Sequence, residues 1–524
     1  MSLALAGCGG ALASSPLVKV SDSQAPAPVL EFSVAPLSAA EGEPITLKWS
    51  AKHATSVTIS PNLGTFGPEG TLTVTATQSV TYQAAAIGPG GETSASQAFS
   101  LSRSNKPARH PPTINPIKNI IFLYQENRSF DQYFSNMNAY RVSVGLPADV
   151  DVASPTATNP NFEGTAEVGR FHMVSMCTEN VSPAWNESHV QIDRDYLIKP
   201  ASQVTQSRMN GFVYTGAKYA RDQVPQYFDT QGLRSMGYYD QADLPYYYFM
   251  ATQFGISDRW FSPAPTRSAP NRVFTLAATS NGYIYDPLMG ERKNIFQLLQ
   301  ENGISWKVYY TDVSGGIPVT FLTYFDAFYQ ANKSKVVPVS QYYTDVANGT
   351  LPSVAMIESG YANSRTDEHP GNSVQTGAAY VAGLINALMN SQSWKDSVFF
   401  LTYDESGGVY DHVPPPAAVH PDGIAPVDRP STDIGGDFDR YGMRVPNLVI
   451  SPYSKPGYVS HTVQDHTAIL KFITTKFNLP SLTLRDNSQT NMYEFFDFQA
   501  PPRLTPPTPP AQPSNGPCYY DRLP

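Results

Sequence analysis

Two apolar runs, each ending in acidic and amide side chains, constrain this chain more than any other feature of it. Ile120, Ile121, Phe122, Leu123 and Tyr124 lead into Gln125, Glu126, Asn127, Arg128, Ser129, Phe130 and Asp131. Far downstream, Val398, Phe399, Phe400, Leu401, Thr402 and Tyr403 lead into Asp404, Glu405, Ser406, Gly407 and Gly408. Short apolar runs of this kind read as strands, and in an open α/β sheet sites assemble in the crevice beyond the carboxyl ends of parallel strands. Laid side by side, the two runs would bring Glu126, Asn127, Asp404 and Glu405 together. Four oxygen-bearing side chains suit one hard divalent cation.

A chain of 524 residues, 41% hydrophobic and 15% charged, is long enough for two domains and has the balance of an ordinary globular protein. Its 35 basic and 44 acidic residues give a net charge of −9 without a Lys/Arg cluster, which excludes nucleic acid as a partner. The same balance opposes adsorption to anionic membranes but permits capture of single lipid molecules in a pocket. Many Tyr, Phe, Pro, Ser, Thr and Asn with few Lys point to an exported protein. Of the three cysteines, Cys8 stands in Leu5, Ala6, Gly7, Cys8, which resembles the lipobox of a bacterial lipoprotein and makes Cys8 a candidate lipid anchor. No basic residue and too few apolar ones precede it for a whole signal peptide, so the true start is expected upstream of Met1. Cys177 and Cys518 are either a disulfide tying the C-terminal end to the body or two buried thiols.

Composition divides the chain into a truncated signal and tether (1–27), a small all-β block (28–102), a Pro-rich basic linker (103–115), a large domain (116–500) and a Pro-rich tail (501–524). In the all-β block, alternating segments at Glu31 to Val34, Ile45 to Trp49, Ser56 to Ile59, Thr71 to Ala76, Thr81 to Ala86 and Gln97 to Leu101 recur between Gly, Pro and Asn, as in a sandwich. This block resembles bacterial immunoglobulin-like domains, and its expected role is that of a spacer or adhesion module. In the large domain, strands alternate with a Tyr-rich helical stretch near Tyr238 to Phe254, a helix near Asn294 to Glu301, a long amphipathic helix near Ser373 to Met389 and a last strand at Val445 to Ile450. That alternation indicates α/β.

The motif from Gln125 to Asp131 resembles the opening motif of the bacterial phosphoesterase family that includes secreted phospholipases C and an acid phosphatase. The likeness continues in order through Pro270, Asn271, Arg272, through Glu368, His369, Pro370, through Tyr403 to Gly408 with Asp411 to Pro416, and through Ile450 to Pro452 with Asp465, His466. The resemblance implies an alkaline-phosphatase-like central sheet flanked by helices, and one divalent metal ion held by Glu126, Asn127, Asp404 and Glu405. It places the nucleophile two residues before the Pro-Asn-Arg motif, at Ser268, with Thr266 as the local competitor. Ser268 would attack phosphorus in line and form a covalent intermediate. His369, His466 and His189 occupy the family's histidine motifs and would protonate the leaving oxygen or bind phosphoryl oxygens. Where the family often carries an earlier histidine, this chain has Val181, Ser182 and Pro183. His412 would act from behind, and Arg128 and Arg272 would be partners of carboxylates.

The implied function is metal-dependent hydrolysis of a phosphate ester or phospholipid by an exported protein, either secreted or held at the cell envelope. A serine where family phospholipases C commonly carry threonine leans toward a phosphatase, whereas the aromatic stretch from Tyr214 to Phe254 suits either a choline or acylglycerol pocket or plain core packing, the more frequent use of aromatics. The alternative is a surface-anchored binding protein whose large domain is a lapsed enzyme. Loss of Glu126, Asp404 or Ser268 would favour it, and all three are present.

Overall fold

In the first strands of the chain every second side chain is buried. Ile45, Leu47 and Trp49 point inward while their neighbours face out, the pattern of a strand with one covered face. The computed structural model describes residues 25–39, 44–61, 63–75, 79–101, 115–223 and 226–523, so Cys8 and nearly all of the linker lie outside the described residues. The chain divides into two compact units, 1–112 and 113–524.

Unit one pairs two sheets. Val29–Ala35, Pro44–Lys52 and Glu69–Thr75 form an antiparallel sheet of three strands. Ser38–Ala39, Gly91–Leu101, Val80–Gly88, Ser56–Ser60 and Gly64–Phe66 form the second, in that order. Ile45, Leu47 and Trp49 from one sheet share a core with Val57, Ile59, Ala84 and Phe99 from the other. This is the immunoglobulin-like sandwich that the alternating segments predict.

Unit two is built on an eight-stranded sheet in the order Val336–Pro338, Trp306–Tyr310, Val354–Glu358, Asn119–Gln125, Ser397–Tyr403, Asn447–Ile450, Gly255–Ser257 and Tyr458–Ser460. Asn447–Ile450 runs against both neighbours, and the remaining pairings are parallel. The two motif strands are neighbours in parallel register, with Tyr403 opposite Gln125, so their acidic continuations leave the sheet at the same level. Both are buried along their length because helices cover the sheet, which is why they read as unbroken apolar runs. The helix Val374–Met389 buries Ala378, Val381, Leu384, Ile385 and Leu388 at helical spacing, and Ser373 caps it by accepting from the Thr376 amide. The expected α/β fold, a central sheet with helices preceded by an all-β sandwich, is thus present.

Two expected elements are shorter than their sequence pattern. Helix occupies only Pro245–Gln253 of the Tyr-rich stretch, starting at a proline with no amide proton to leave unpaired, while Tyr238 lies in a two-residue strand against Phe171–His172. The last motif strand begins at Asn447, after Pro446, which cannot donate to a ladder. The tail beyond Phe495 carries no regular helix or strand, yet it is bonded to the body: Trp394 Nε1 donates to the Arg503 carbonyl and the Met176 amide to that of Pro517. Cys177 and Cys518 form a disulfide. Among the described residues no helix is long and apolar enough to cross a membrane.

Candidate active site

Beyond the first motif strand the Glu126 amide donates to the Asp367 carbonyl at 2.7 Å, and Asn127 turns into the left-handed region at φ 57°, a conformation asparagine tolerates better than most residues. Beyond the second, Asp404 Oδ1 accepts from the Asn127 amide at 3.0 Å and from the Glu405 amide at 2.7 Å, so one carboxylate locks the two strand ends together. The chain then turns through Gly407 at φ 67°, where a Cβ would lie 2.4 Å from the Asn127 carbonyl oxygen. No other residue type fits there without moving Asn127.

Ser268 opens the helix Ser268–Ala277, so its hydroxyl stands at a helix N-terminus, where unpaired amides favour negative charge. Ser268 Oγ lies 3.2 Å from Asn127 Oδ1, 3.3 Å from Glu126 Oε2 and 3.4 Å from Glu405 Oε1. One hydroxyl has one proton, so three acceptors around it leave an oxygen-rich cluster short of positive charge. Asp404 does not share this contact; its Oδ2 faces Arg272 Nε at 3.4 Å. Arg272, one turn along the same helix, places Nη2 2.6 Å from Glu126 Oε1. All four acidic or amide residues and Arg272 are buried. Burial, and then the charge of Asp404, push the Glu126 and Glu405 carboxyls well above the usual range. Three carboxylates against a single guanidinium, with an amide oxygen alongside, is a donor set that fits a hard cation.

The histidines divide. His369 is half-buried on the loop that follows Asp367, and its Nδ1 donates to the Pro370 carbonyl at 2.7 Å, which leaves Nε2 as the ring's other face. His189 lies on the helix Trp185–Ile192, its Nδ1 bonded to the Trp185 carbonyl at 2.7 Å. Burial lowers it to about 4, so it is neutral near pH 7 and its Nε2 is an acceptor. His466 is fully buried between Tyr124 and Trp260. Burial and the Arg272 charge hold it neutral. Besides the two rings it neighbours Arg272 and the backbones of Tyr403 and Asn271, so it adjoins the second motif strand end and the Ser268 helix. Thr266, the competitor of Ser268, is buried and donates to the Ile284 carbonyl.

Behind the site, His412 Nδ1 bonds Asp131 at 2.6 Å and its Nε2 bonds Asp151 at 3.0 Å, while Arg444 pairs with Asp131 and Asp411. Asp131, Asp411 and His412 have metal-ligand spacing, as do His172, Asp240 and Asp243, but in the first group Arg444 already supplies the counter-charge. Sequence reasoning did not single out Asp367, whose buried carboxyl neighbours Glu126, or the fully buried Glu368 beside it. Both stand in or next to the quoted Glu-His-Pro motif, and position in that motif is the signal that could have found them.

Fold and site together mark a hydrolytic enzyme whose centre lies at the carboxyl ends of parallel strands. The model of the Phosphoesterase family matches residues 117–480, and the chain belongs to that family: it is a phosphoric ester hydrolase. Non-specific phospholipase C1 of Arabidopsis thaliana is 29% identical over 440 residues, covering 78% of this chain and 75% of that protein. Phospholipase C B of Mycobacterium tuberculosis is 29% identical over 450 residues, covering 76% and 81%. A solved structure of an alkaline phosphatase superfamily protein from Vibrio parahaemolyticus aligns over 68% of this chain and 78% of that one at 10% identity and a TM-score of 0.31, a likeness too distant to add to the family match.

Proposed function

We propose that the protein is a metal-dependent phosphodiesterase of the phospholipase C type that works through a covalent intermediate on Ser268. The observation that carries this reading is the Ser268 hydroxyl set among Glu126, Asn127 and Glu405. Those three residues together with Asp404 would hold a divalent cation, which lowers the pKa of a bound hydroxyl and offsets charge on phosphoryl oxygens.

Ser268 Oγ forms the new bond to phosphorus as the bond to the leaving alcohol breaks, its proton passing to one of the facing carboxylates. His369, with Nδ1 tied to a carbonyl, presents Nε2 for donation of a proton to the leaving oxygen. Water, giving a proton to His369, then displaces Ser268 from phosphorus, and the serine oxygen recovers its proton from the carboxylate. His189, neutral and with Nε2 as an acceptor, suits a hydroxyl of the substrate better than an unprotonated phosphoryl oxygen. The relatives named phospholipase C support a phospholipid as the ester. The Cys177–Cys518 disulfide supports an exported protein, since such bonds persist in oxidising compartments, with Cys8 as the lipid anchor.

Hydrolysis of p-nitrophenyl phosphorylcholine against p-nitrophenyl phosphate, each with and without chelator, tests the reading. Chelator-sensitive cleavage of the first is expected. Cleavage of the second alone would make the protein a phosphatase, the choice to which Ser268 in place of threonine leans. Cleavage of neither would return the binding-protein alternative, and chelator-resistant cleavage would remove the metal.

A further inference from the structure

Glu368 is fully buried, and all of its acceptor positions are taken by neutral donors from four separate elements. Its Oε2 accepts from Tyr133 Oη at 2.5 Å and from Tyr403 Oη at 2.6 Å. Its Oε1 accepts from Tyr247 Oη at 2.6 Å and from Gln125 Nε2 at 2.9 Å. Four donors against two carboxyl oxygens fill the capacity of the group, and they work against the burial that raises its pKa. The placement of those donors is informative. Gln125 immediately precedes Glu126, Tyr403 immediately precedes Asp404, Tyr133 lies two residues past Asp131 on the helix Phe130–Phe134, and Tyr247 lies on Pro245–Gln253.

The backbone of Glu368 is as closely held as its side chain. Its φ of 67° is left-handed, which costs a non-glycine residue energy and persists only where surroundings enforce it. Arg128, from the first acidic motif, supplies that constraint by donating Nε and Nη2 to the Glu368 carbonyl at 2.8 and 2.6 Å. Room for the side chain comes from Gly377 of the helix Val374–Met389, where a Cβ would lie 2.1 Å from Glu368 Cγ. On either side along the chain stand Asp367, whose carbonyl accepts from the Glu126 amide, and His369.

We infer that Glu368 is a positioning residue that fixes His369 relative to the two strand ends carrying the oxygen cluster. A buried carboxyl with no cation on it is costly to keep for packing alone, and here its bonds tie both strand ends that carry the oxygen cluster to two helices. The inference rests on the reading of His369 as the leaving-group acid given above. Its consequence is specific. Disturbing the hub misaims the proton donor, so loss of activity grows with the basicity of the leaving oxygen.

The test compares wild type, Glu368→Gln, Tyr247→Phe, His369→Ala and the Glu368→Gln/His369→Ala double variant on p-nitrophenyl phosphorylcholine and on a short-chain phosphatidylcholine below its micelle concentration. The aryl oxygen leaves without much help from a proton, and the glycerol oxygen needs one. In Glu368→Gln, kcat for the lipid is expected to fall roughly tenfold more than kcat for the aryl ester, with KM little changed, and the double variant should be no slower on the lipid than His369→Ala. Equal losses on both esters, or independent losses in the double variant, would overturn the inference. Should circular dichroism show Glu368→Gln unfolded, Tyr247→Phe decides alone. A smaller loss with the same leaving-group bias supports the hub, and an unbiased loss or none overturns it. Wild type inactive on both esters, or His369→Ala without bias, would instead sink the functional reading and this inference with it.

Discussion

Arg272 lies between Glu126 and Asp404 with its guanidinium buried; burial works against its charge, and the carboxylates of Glu126, Asp404 and Glu358 around it outweigh that loss of hydration. Removing one partner from a buried ion cluster leaves the others uncompensated. Arg272→Met should therefore destabilise the protein by about 3–5 kcal/mol, read as a lower denaturant midpoint at unchanged slope. A nearly unchanged midpoint would mean the carboxylates are already neutral. The His412–Asp131 pair makes a pH-dependent counterpart. Against the cost of burial, Asp131 raises His412 to about 9, while Arg444 and His412 lower Asp131 to about 2. The histidine's contribution is complete below its unfolded pKa of about 6.5 and is lost as pH rises through 9; that of Asp131 is complete above about 3.9 and is lost as pH falls through 2. Stability from this pair should peak between about pH 4 and 6.5, and His412→Gln should flatten a decline of about 2–3 kcal/mol between pH 6.5 and 9 in thermal or urea unfolding. A wild-type curve as flat as the variant's would contradict it.

At the scale of elements, the turn after the second motif strand holds the cluster in shape. Gly407→Ala forces a Cβ onto the Asn127 carbonyl and a left-handed φ onto alanine, so it should lose divalent-cation affinity at least tenfold and cost about 1–3 kcal/mol of stability. Titration calorimetry with Mn²⁺ reads the first effect, and unchanged affinity would mean that Asn127 is not a ligand. The motif strands were legible because a covered parallel strand has no polar alternation to blur it, and their acidic ends were legible because two such ends occur and sites assemble beyond the carboxyl ends of parallel strands. The immunoglobulin-like strands were legible through the opposite pattern, with Ile45, Leu47 and Trp49 alternating. The Tyr238 to Phe254 stretch was not, since aromatic residues serve strand and helix alike and only Pro245 marks where helix begins. Glu368 was hidden for a different reason. Its four partners come from residues 125, 133, 247 and 403, and no local spacing brings such distant residues together.

Across the whole molecule, the tail from 497 to 523 is fastened by scattered backbone bonds and by a disulfide joining residues 341 positions apart. Closing so long a loop restricts the unfolded chain, and a disulfide of this kind stabilises typically by about 2–4 kcal/mol. Cys518→Ser, or reduction of the wild type, should lower the melting temperature and expose the 497–523 segment to protease before the remainder of the catalytic unit. Equal protease resistance with and without reductant would show that the hydrogen bonds alone hold it. Composition announced this tail through its prolines, but whether its cysteine was paired lay in the three-dimensional path of the chain, which brings Tyr519 to Ser175.

The central claim is that Ser268 is the group that takes up phosphorus. Turnover of p-nitrophenyl phosphorylcholine quenched in acid and followed by peptide mass spectrometry tests it most directly. A phosphorylcholine adduct on the peptide bearing Ser268, absent from Ser268→Ala and from enzyme stripped with chelator, is the predicted result. Steady turnover by Ser268→Ala, or an adduct on a different residue, would contradict the account.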